Sequence, residues 1–377
     1  MKDKIKVLHI LHELHPSGAE MMICNAYPYW KETCESSVMA TGKIRGPFAD
    51  TLEQTGYQIE WVPTEGAGKK AKIGHLIAFW KFMRTHHYDI VHIHRESLSF
   101  EYALIARMTG SRNTVRTVHS TFAHTGIQRK IKAFTRHFMQ KHLHTRFVAI
   151  SDGVAANEKK VFGIDCDETI YNWCNNGKFQ YIGEEEKLPL KQAHDTEGKM
   201  VLVTVGNCGT VKNHELLLNA IARMQQKEQI HYYHVGYGKG ASEQEEKLSR
   251  SLEIDHLITF AGSTDPMPYL KEADVFLMTS LYEGLSIATL EAIFTGMHIL
   301  LANTPGLTEF RDKALENVAY FDSTPESLAA KLDEYAVLHR SGALHPSREQ
   351  CARATELYDC SRQVGKYVLL YKNILVQ

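Results

Sequence analysis

Short apolar, β-branched runs alternate with longer amphipathic stretches along nearly the whole of this chain. In the first half, the runs at 5–10, 37–41, 58–62, 90–93, 114–118 and 147–150 have the length and branching of buried strands, while 19–30, 73–85, 97–108 and 128–142 carry helical spacing. The second half repeats the scheme, with strands expected at 200–205, 230–235, 257–260, 275–278, 298–301 and 318–320. Such alternation predicts βαβ units and parallel sheets. Two sheets are expected rather than one, because 377 residues exceed what a single core ordinarily sustains. The polar stretch 179–199, with Glu184, Glu185, Glu186, Pro189 and Asp195, interrupts the pattern and reads as a hydrated connector. The expected fold class is α/β: one Rossmann-like domain over 1–180 and a second over 199–357.

Composition changes this picture little. Hydrophobic residues at 44% and charged residues at 23% are ordinary globular values. No run reaches the ~18 apolar residues that span a membrane. The first apolar run lacks the length and cleavage site of a signal peptide and reads as a first strand. Seven scattered cysteines without a CxxC pair suit reduced thiols, so a cytoplasmic location is expected.

Charge is more informative. The net charge is −1, yet no Asp or Glu occurs from Tyr102 to Ser151, where Arg107, Arg112, Arg116, Arg129, Lys130, Lys132, Arg136, Lys141 and Arg146 all fall. Beside the last basic group, Ile127, Ile131, Phe134, Phe138 and Leu143 recur near helical spacing. One reading is a core-facing helix with a solvated basic back. The other is a helix that docks on an anionic leaflet through Arg129, Lys130, Lys132 and Arg136, peripheral at the inner face of the plasma membrane, at about 1 kcal/mol per basic residue. No nucleic-acid partner is expected.

Candidate chemistry concentrates after the expected strand at 275–278. There a glycine turn leads into a helix near Ser286, with Glu283 ahead of the helix and Glu291 about two turns along. Ligands of doubly wound sheets collect at the carboxyl ends of strands, and backbone N–H groups of Gly284, Leu285 and Ser286 would face an anion there. A bare pair of glutamates at this spacing is equally a helix cap and a solvated side chain. The surrounding residues, "ADVFLMTSLYEGLS" followed by "TGMHILLANTPGLTEF" with Pro305, Gly306 and Glu309, resemble the donor-site signature of glycosyltransferase family 4, retaining enzymes of GT-B architecture.

The resemblance extends to most of the chain. Val205 to His214 looks like the family's diphosphate-binding loop: Lys212 falls on its lysine, whereas Asn207 stands where the family places an arginine. His234-Val235-Gly236-Tyr237-Gly238 is similar to its strand-to-glycine turn, and Phe260-Ala261-Gly262 to the turn beside the nucleobase. In the first half, Pro16-Ser17-Gly18-Ala19-Glu20 resembles the "GGAE" loop, in which Gly18 permits close approach of a phosphate or acceptor. His94 and His119 end two further strands, and the resemblance places His119 against the transferred sugar. The segment 358–377 resembles the closing helix that returns to the first domain.

The resemblance therefore implies a GT-B pair of Rossmann-like domains with parallel sheets facing a central cleft. It implies retaining transfer of a hexose-type sugar from a nucleotide-diphosphate donor to a saccharide or lipid-linked saccharide in cell-surface polysaccharide synthesis. Glu283 would orient the sugar, Glu291 the ribose, and Lys212 and Asn207 the departing diphosphate. The histidines show no metal-ligand spacing, and no Asp-x-Asp motif is read in the chain, so neither a cofactor nor a catalytic metal is expected. A sugar-nucleotide epimerase of the same fold and a catalytically weak sugar-nucleotide-binding protein remain as alternatives. A nicotinamide dehydrogenase is not supported, since no GxGxxG follows the first strand.

Overall fold

The computed structural model describes residues 4–376, and its strands form two parallel sheets, one in each of two units: residues 4–173 with 360–376, and residues 174–359. The first sheet comprises β1 (Ile5–Leu11), β2 (Cys34–Ala40), β3 (Gln58–Trp61), β4 (Ile90–Ile93), β5 (Asn113–Val118), β6 (Arg146–Ala149) and β7 (Glu168–Thr169), in the order β3-β2-β1-β4-β5-β6-β7. β1 lies centrally with Val7, Leu8 and Ile10 fully buried, as expected of a parallel strand covered on both faces. The C-terminal helix Cys360–Val376 packs on the helix Gly18–Trp30 and buries Val364, Tyr367 and Tyr371. Its tyrosines reach the sheet: the Tyr371 hydroxyl lies 2.6 Å from His92 Nδ1 and that of Tyr367 2.8 Å from Thr117 Oγ1.

The second sheet comprises β8 (Met200–Val205), β9 (Ile230–Val235), β10 (Ile258–Gly262), β11 (Val275–Met278), β12 (His298–Ala302) and β13 (Val318–Phe321), in the order β10-β9-β8-β11-β12-β13. The chain winds outward from β8 in one direction and from β11 in the other. The β8–β11 junction is therefore the topological switch point, where doubly wound sheets bind ligands.

The stretch expected to be a hydrated connector is part of the second unit. Ile182 N–H donates to Thr295 O at 3.1 Å, Phe179 is buried, and Glu184–Ala193 is a helix. Lys187 and Lys191 on that helix are buried against Asp274, with Lys191 Nζ 2.6 Å from Oδ2. Asp274 also accepts the Val201 N–H at the start of β8 (2.8 Å). Buried charges persist only when paired, and here the partner lies far along the chain. The division between units accordingly follows Trp173 rather than residue 180.

Candidate active site

Two loops of the second unit flank the switch point. The loop after β8 runs from Gly206 to Asn213, and the helix His214–Arg223 begins only after Lys212, which sits in the turn. The loop after β11 carries Glu283 to Ser286, and Ser286 caps the helix Ile287–Phe294 by accepting the Thr289 N–H at 3.2 Å. The loops are tied directly: Leu281 N–H donates to Val211 O (2.8 Å) and Thr279 Oγ1 to Lys212 O (2.8 Å). Their side chains meet as well, with Lys212 Nζ 2.8 Å from Glu283 Oε1. Both remain partly exposed, so the pair is accessible to a ligand.

Glycine is required at two places here. A Cβ on Gly236 would fall 1.9 Å from Gly206 O. One on Gly306, where φ is +83°, would fall 2.2 Å from Glu283 O. The Pro305–Gly306 turn thus packs directly on the Glu283 backbone, and Glu283 N–H donates to Pro305 O (2.9 Å).

Glu291 points from the Ile287–Phe294 helix, whose neighbouring residues Leu290, Ala292 and Ile293 are all buried. The structure gives its buried carboxyl no hydrogen-bond partner, and burial pushes its pKa up to about 8. Lys178, which lowers it, and Asp265, which raises it, pair with one another at 2.7 Å and act on it in opposite senses. Asn207 is exposed on the β8 loop. The structure thus brings Lys212, Glu283, Gly284, Leu285 and Ser286 to one sheet edge, with Asn207 on the adjoining loop.

In the first unit, His119 follows β5 and ends a chain of imidazoles. Its Nε2 lies 2.9 Å from His94 Nδ1, and His94 Nε2 lies 3.1 Å from His9 Nδ1. Burial, reinforced by Arg116, lowers the His119 pKa to about 4, and burial lowers His9 to about 3 and His94 well below the usual value. These rings are neutral at physiological pH and act through their tautomers. His9 Nε2 is buried without a partner. Orphaned N–H donors are rarer than orphaned acceptors. The less costly arrangement leaves that nitrogen bare, so His9 and then His94 donate outward, and His119 carries its proton on Nδ1 as a donor.

Gly18 opens the helix Gly18–Trp30 at an exposed N-terminus after β1. At the same edge of the first sheet, a cavity of about 230 Å³ is lined by His12, Lys43, Lys72 and Arg95 among others. Arg95 is braced by Thr41 Oγ1 (2.5 Å), Tyr102 OH (3.1 Å) and Ser97 Oγ (2.9 Å). The sequence reading missed these basic residues, although their positions in strand-end loops and at a helix start were a usable signal.

The basic helix Gly126–His142 meets each of the two expectations only in part. Arg136 is only 1% exposed, pairs with Glu158 (2.8 Å) and Glu96 (3.0 Å), and lies 3.8 Å from the Phe162 ring centre. Lys132 Nζ lies 2.8 Å from Glu96 Oε1. These two side chains are therefore committed to the fold. The presumed core face is covered only at its C-terminal end, where Phe138 packs on Phe100 and Leu143 is buried; Ile127, Ile131 and Phe134 are 74%, 56% and 67% exposed, flanked by exposed Arg129 and Lys130. No helix among the described residues is long and apolar enough to cross a membrane.

The sequence does contain one Asp-x-Asp tripeptide, Asp165-Cys166-Asp167. Asp167 accepts from Arg146 Nη1 (3.0 Å) and Phe147 N–H (2.8 Å) at the start of β6, and Asp165 pairs with Lys159. It serves the fold at the edge opposite the strand ends that carry the candidate residues.

Two family models match, "Glycosyltransferase Family 4" over residues 8–175 and "Glycosyl transferases group 1" over residues 186–356. The chain belongs to the family 4 glycosyltransferases. Among family relatives, the UDP-Gal:alpha-D-GlcNAc-diphosphoundecaprenol alpha-1,3-galactosyltransferase of Escherichia coli is 24% identical over 324 residues, covering 80% of each chain. The capsular polysaccharide biosynthesis glycosyltransferase CapH of Staphylococcus aureus is 25% identical over 333 residues, 83% of this chain and 86% of that one. The fold matches Anabaena HepE, solved in complex with UDP and glucose, at a TM-score of 0.82 with 15% identity over 98% of this chain and 100% of that one. The two parallel α/β units are those of the GT-B class.

Proposed function

We propose that this glycosyltransferase moves a hexose, with retention, from a nucleoside-diphosphate sugar to a saccharide carried on a lipid diphosphate during bacterial surface-polysaccharide assembly. The observation that carries the donor half is the Lys212–Glu283 pair at the switch point with the unpartnered, buried Glu291 on the adjoining helix. Lys212 and the Asn207 amide meet the charge that grows on the departing diphosphate, Glu283 orients the sugar and Glu291 takes the ribose hydroxyls. In front-face transfer a leaving phosphate oxygen receives the acceptor proton, so no protein nucleophile or metal is required.

Lys43, Lys72 and Arg95, against the single carboxylate of Glu13, give the first unit a net basic cavity suited to an acceptor phosphate. Relatives named for diphosphoundecaprenol and diphosphopolyprenol substrates support this acceptor class. The test is a panel of UDP- and GDP-sugars with lipid-diphosphate saccharides. One donor should be consumed and its sugar found on the lipid with unchanged anomeric configuration by NMR. Donor turnover with inversion, or no transfer from any donor, sinks the reading.

A lipid acceptor requires access to a bilayer. The exposed Ile127, Ile131 and Phe134 stripe, with Arg129 and Lys130 beside it, has the make-up of an interfacial helix. Two basic residues contribute about 2 kcal/mol at an anionic surface, or roughly 30-fold in partitioning. Co-sedimentation with anionic vesicles should therefore be salt-sensitive, and changing Arg129 and Lys130 to glutamate should abolish it. Absence of binding even at low salt would leave a free saccharide as acceptor.

A further inference from the structure

Four side chains that sequence spacing does not connect come together beside the candidate donor loop. Cys208 lies on the loop after β8, His214 opens the following helix, His234 is in β9, and Glu245 is on the helix Ala241–Ser251. Cys208 Sγ lies 3.0 Å from His234 Nε2, His214 Nδ1 lies 3.1 Å from Glu245 Oε1, and His234 Nε2 lies 3.4 Å from Glu245 Oε2. One ligand atom from each of the four falls within 4.8 Å of every other. Both imidazoles are buried, and Glu245 Oε2 is buried without a hydrogen-bond partner.

We propose that Cys208, His214, His234 and Glu245 form a structural zinc site. A thiolate, two imidazoles and a carboxylate are the donor types that zinc takes in closed four-coordinate sites. Bonds of about 2.0–2.3 Å in a tetrahedron place neighbouring ligand atoms roughly 3.3–3.7 Å apart; the three contacts above lie within a few tenths of an ångström of that spacing, and any pair standing wider, up to 4.8 Å, closes onto the ion. The surrounding groups suit the same state. Tyr232 OH lies 2.9 Å from His234 Nδ1 and 2.6 Å from Thr204 Oγ1. His234 can therefore donate from Nδ1 into that hydroxyl chain and keep Nε2 bare for a metal. Ser242 Oγ donates to Cys208 Sγ at 3.2 Å, a contact that favours a thiolate.

The other histidine cluster, formed by His9, His92 and His94, lacks these properties. Both ring nitrogens of His92 are already bonded, to Tyr371 and Thr117, and no thiolate or carboxylate joins it.

Cys208 and His214 bracket the loop that carries Lys212, with Asn207 directly ahead of it. An ion held by them together with His234 and Glu245 staples both ends of that loop to β9 and to the next helix. Its role is to hold the loop, and the four protein ligands leave no open position for catalysis.

The experiment is metal analysis of the full chain expressed with zinc supplementation and passed through gel filtration. About one zinc per chain should remain, and stripping it with a chelator should lower the melting temperature. Cobalt loaded into the stripped protein should show a thiolate-to-metal charge-transfer band that Cys208→Ser abolishes. If that variant fails to fold, His234→Ala and Glu245→Gln are read for zinc content, which each should reduce to below about a tenth of an equivalent. A folded wild-type chain that retains no zinc, or that binds cobalt without the thiolate band, overturns the site and leaves a hydrogen-bonded cluster. These readouts do not depend on glycosyl transfer, so they stand or fall separately from the donor assignment.

Discussion

Lys212→Ala is expected to lower turnover on the order of 100-fold or more while weakening donor binding less than about tenfold. The asymmetry follows from where charge develops. The ground-state diphosphate diester already carries its negative charges, but the departing nucleoside diphosphate gains one more as the glycosidic bond breaks. A lysine beside that oxygen favours the transition state over the bound donor. The resting contact of Lys212 is with Glu283 at 2.8 Å, and both side chains retain solvent access. An ion pair of this kind contributes ~0.2–1 kcal/mol to stability, so the variant should melt within a few degrees of wild type. Folding loss therefore does not explain the rate loss. Steady-state kinetics with calorimetry separates the two quantities, and equal losses in turnover and donor affinity would remove Lys212 from the leaving-group role. Asn207→Arg is the companion. It restores the charge that the family carries at this position and should leave activity equal or higher.

Donor affinity should also rise with pH, and Glu291 is the reason. Its buried carboxyl is held protonated up to about pH 8 by desolvation. A ribose diol donates two hydrogen bonds, which an ionised carboxylate accepts and a protonated one accepts poorly. Binding should accordingly tighten roughly tenfold per pH unit between about pH 6 and 8, with release of a proton. Calorimetry in buffers of different ionisation enthalpy measures that proton directly. Glu291→Gln should flatten the pH slope, and Glu291→Ala should weaken donor binding by about 10- to 100-fold.

The effect on stability runs the other way. The folded-state pKa lies above the ordinary carboxyl value of 4.5. The neutral carboxyl's contribution is therefore complete below that value and is lost as pH rises through about 8. Glu291→Gln should thus gain thermal stability relative to wild type above pH 8. A donor affinity independent of pH, with the Gln variant unchanged, would refute the ribose assignment.

The parts of this molecule that the sequence determined by itself are those set by local pattern. Strand-helix alternation was sufficient for two parallel sheets, because buried parallel strands read as continuous apolar runs and their crossover helices as periodic ones. The candidate donor residues were legible for a related reason. Lys212 and Glu283 sit in loops at the carboxyl ends of β8 and β11, where a doubly wound sheet binds its ligands.

What only the tertiary structure decided is which charges and faces remain free. Periodicity placed Ile127, Ile131, Phe134, Phe138 and Leu143 on one helix face, yet a periodic face does not say what covers it, and here the first three are exposed while Leu143 is buried. Composition marked Lys132 and Arg136 as unopposed, whereas Glu96 and Glu158 neutralise them from outside the acid-free stretch. The residues 184–193 looked solvated because the partner of Lys187 and Lys191 is Asp274. Cys208, His214, His234 and Glu245 formed no recognisable spacing because four different elements supply them. Burial and pairing depend on contacts made across the fold, and desolvation makes an unpaired buried charge too costly to keep. The identity of each partner is therefore written in three dimensions rather than along the chain.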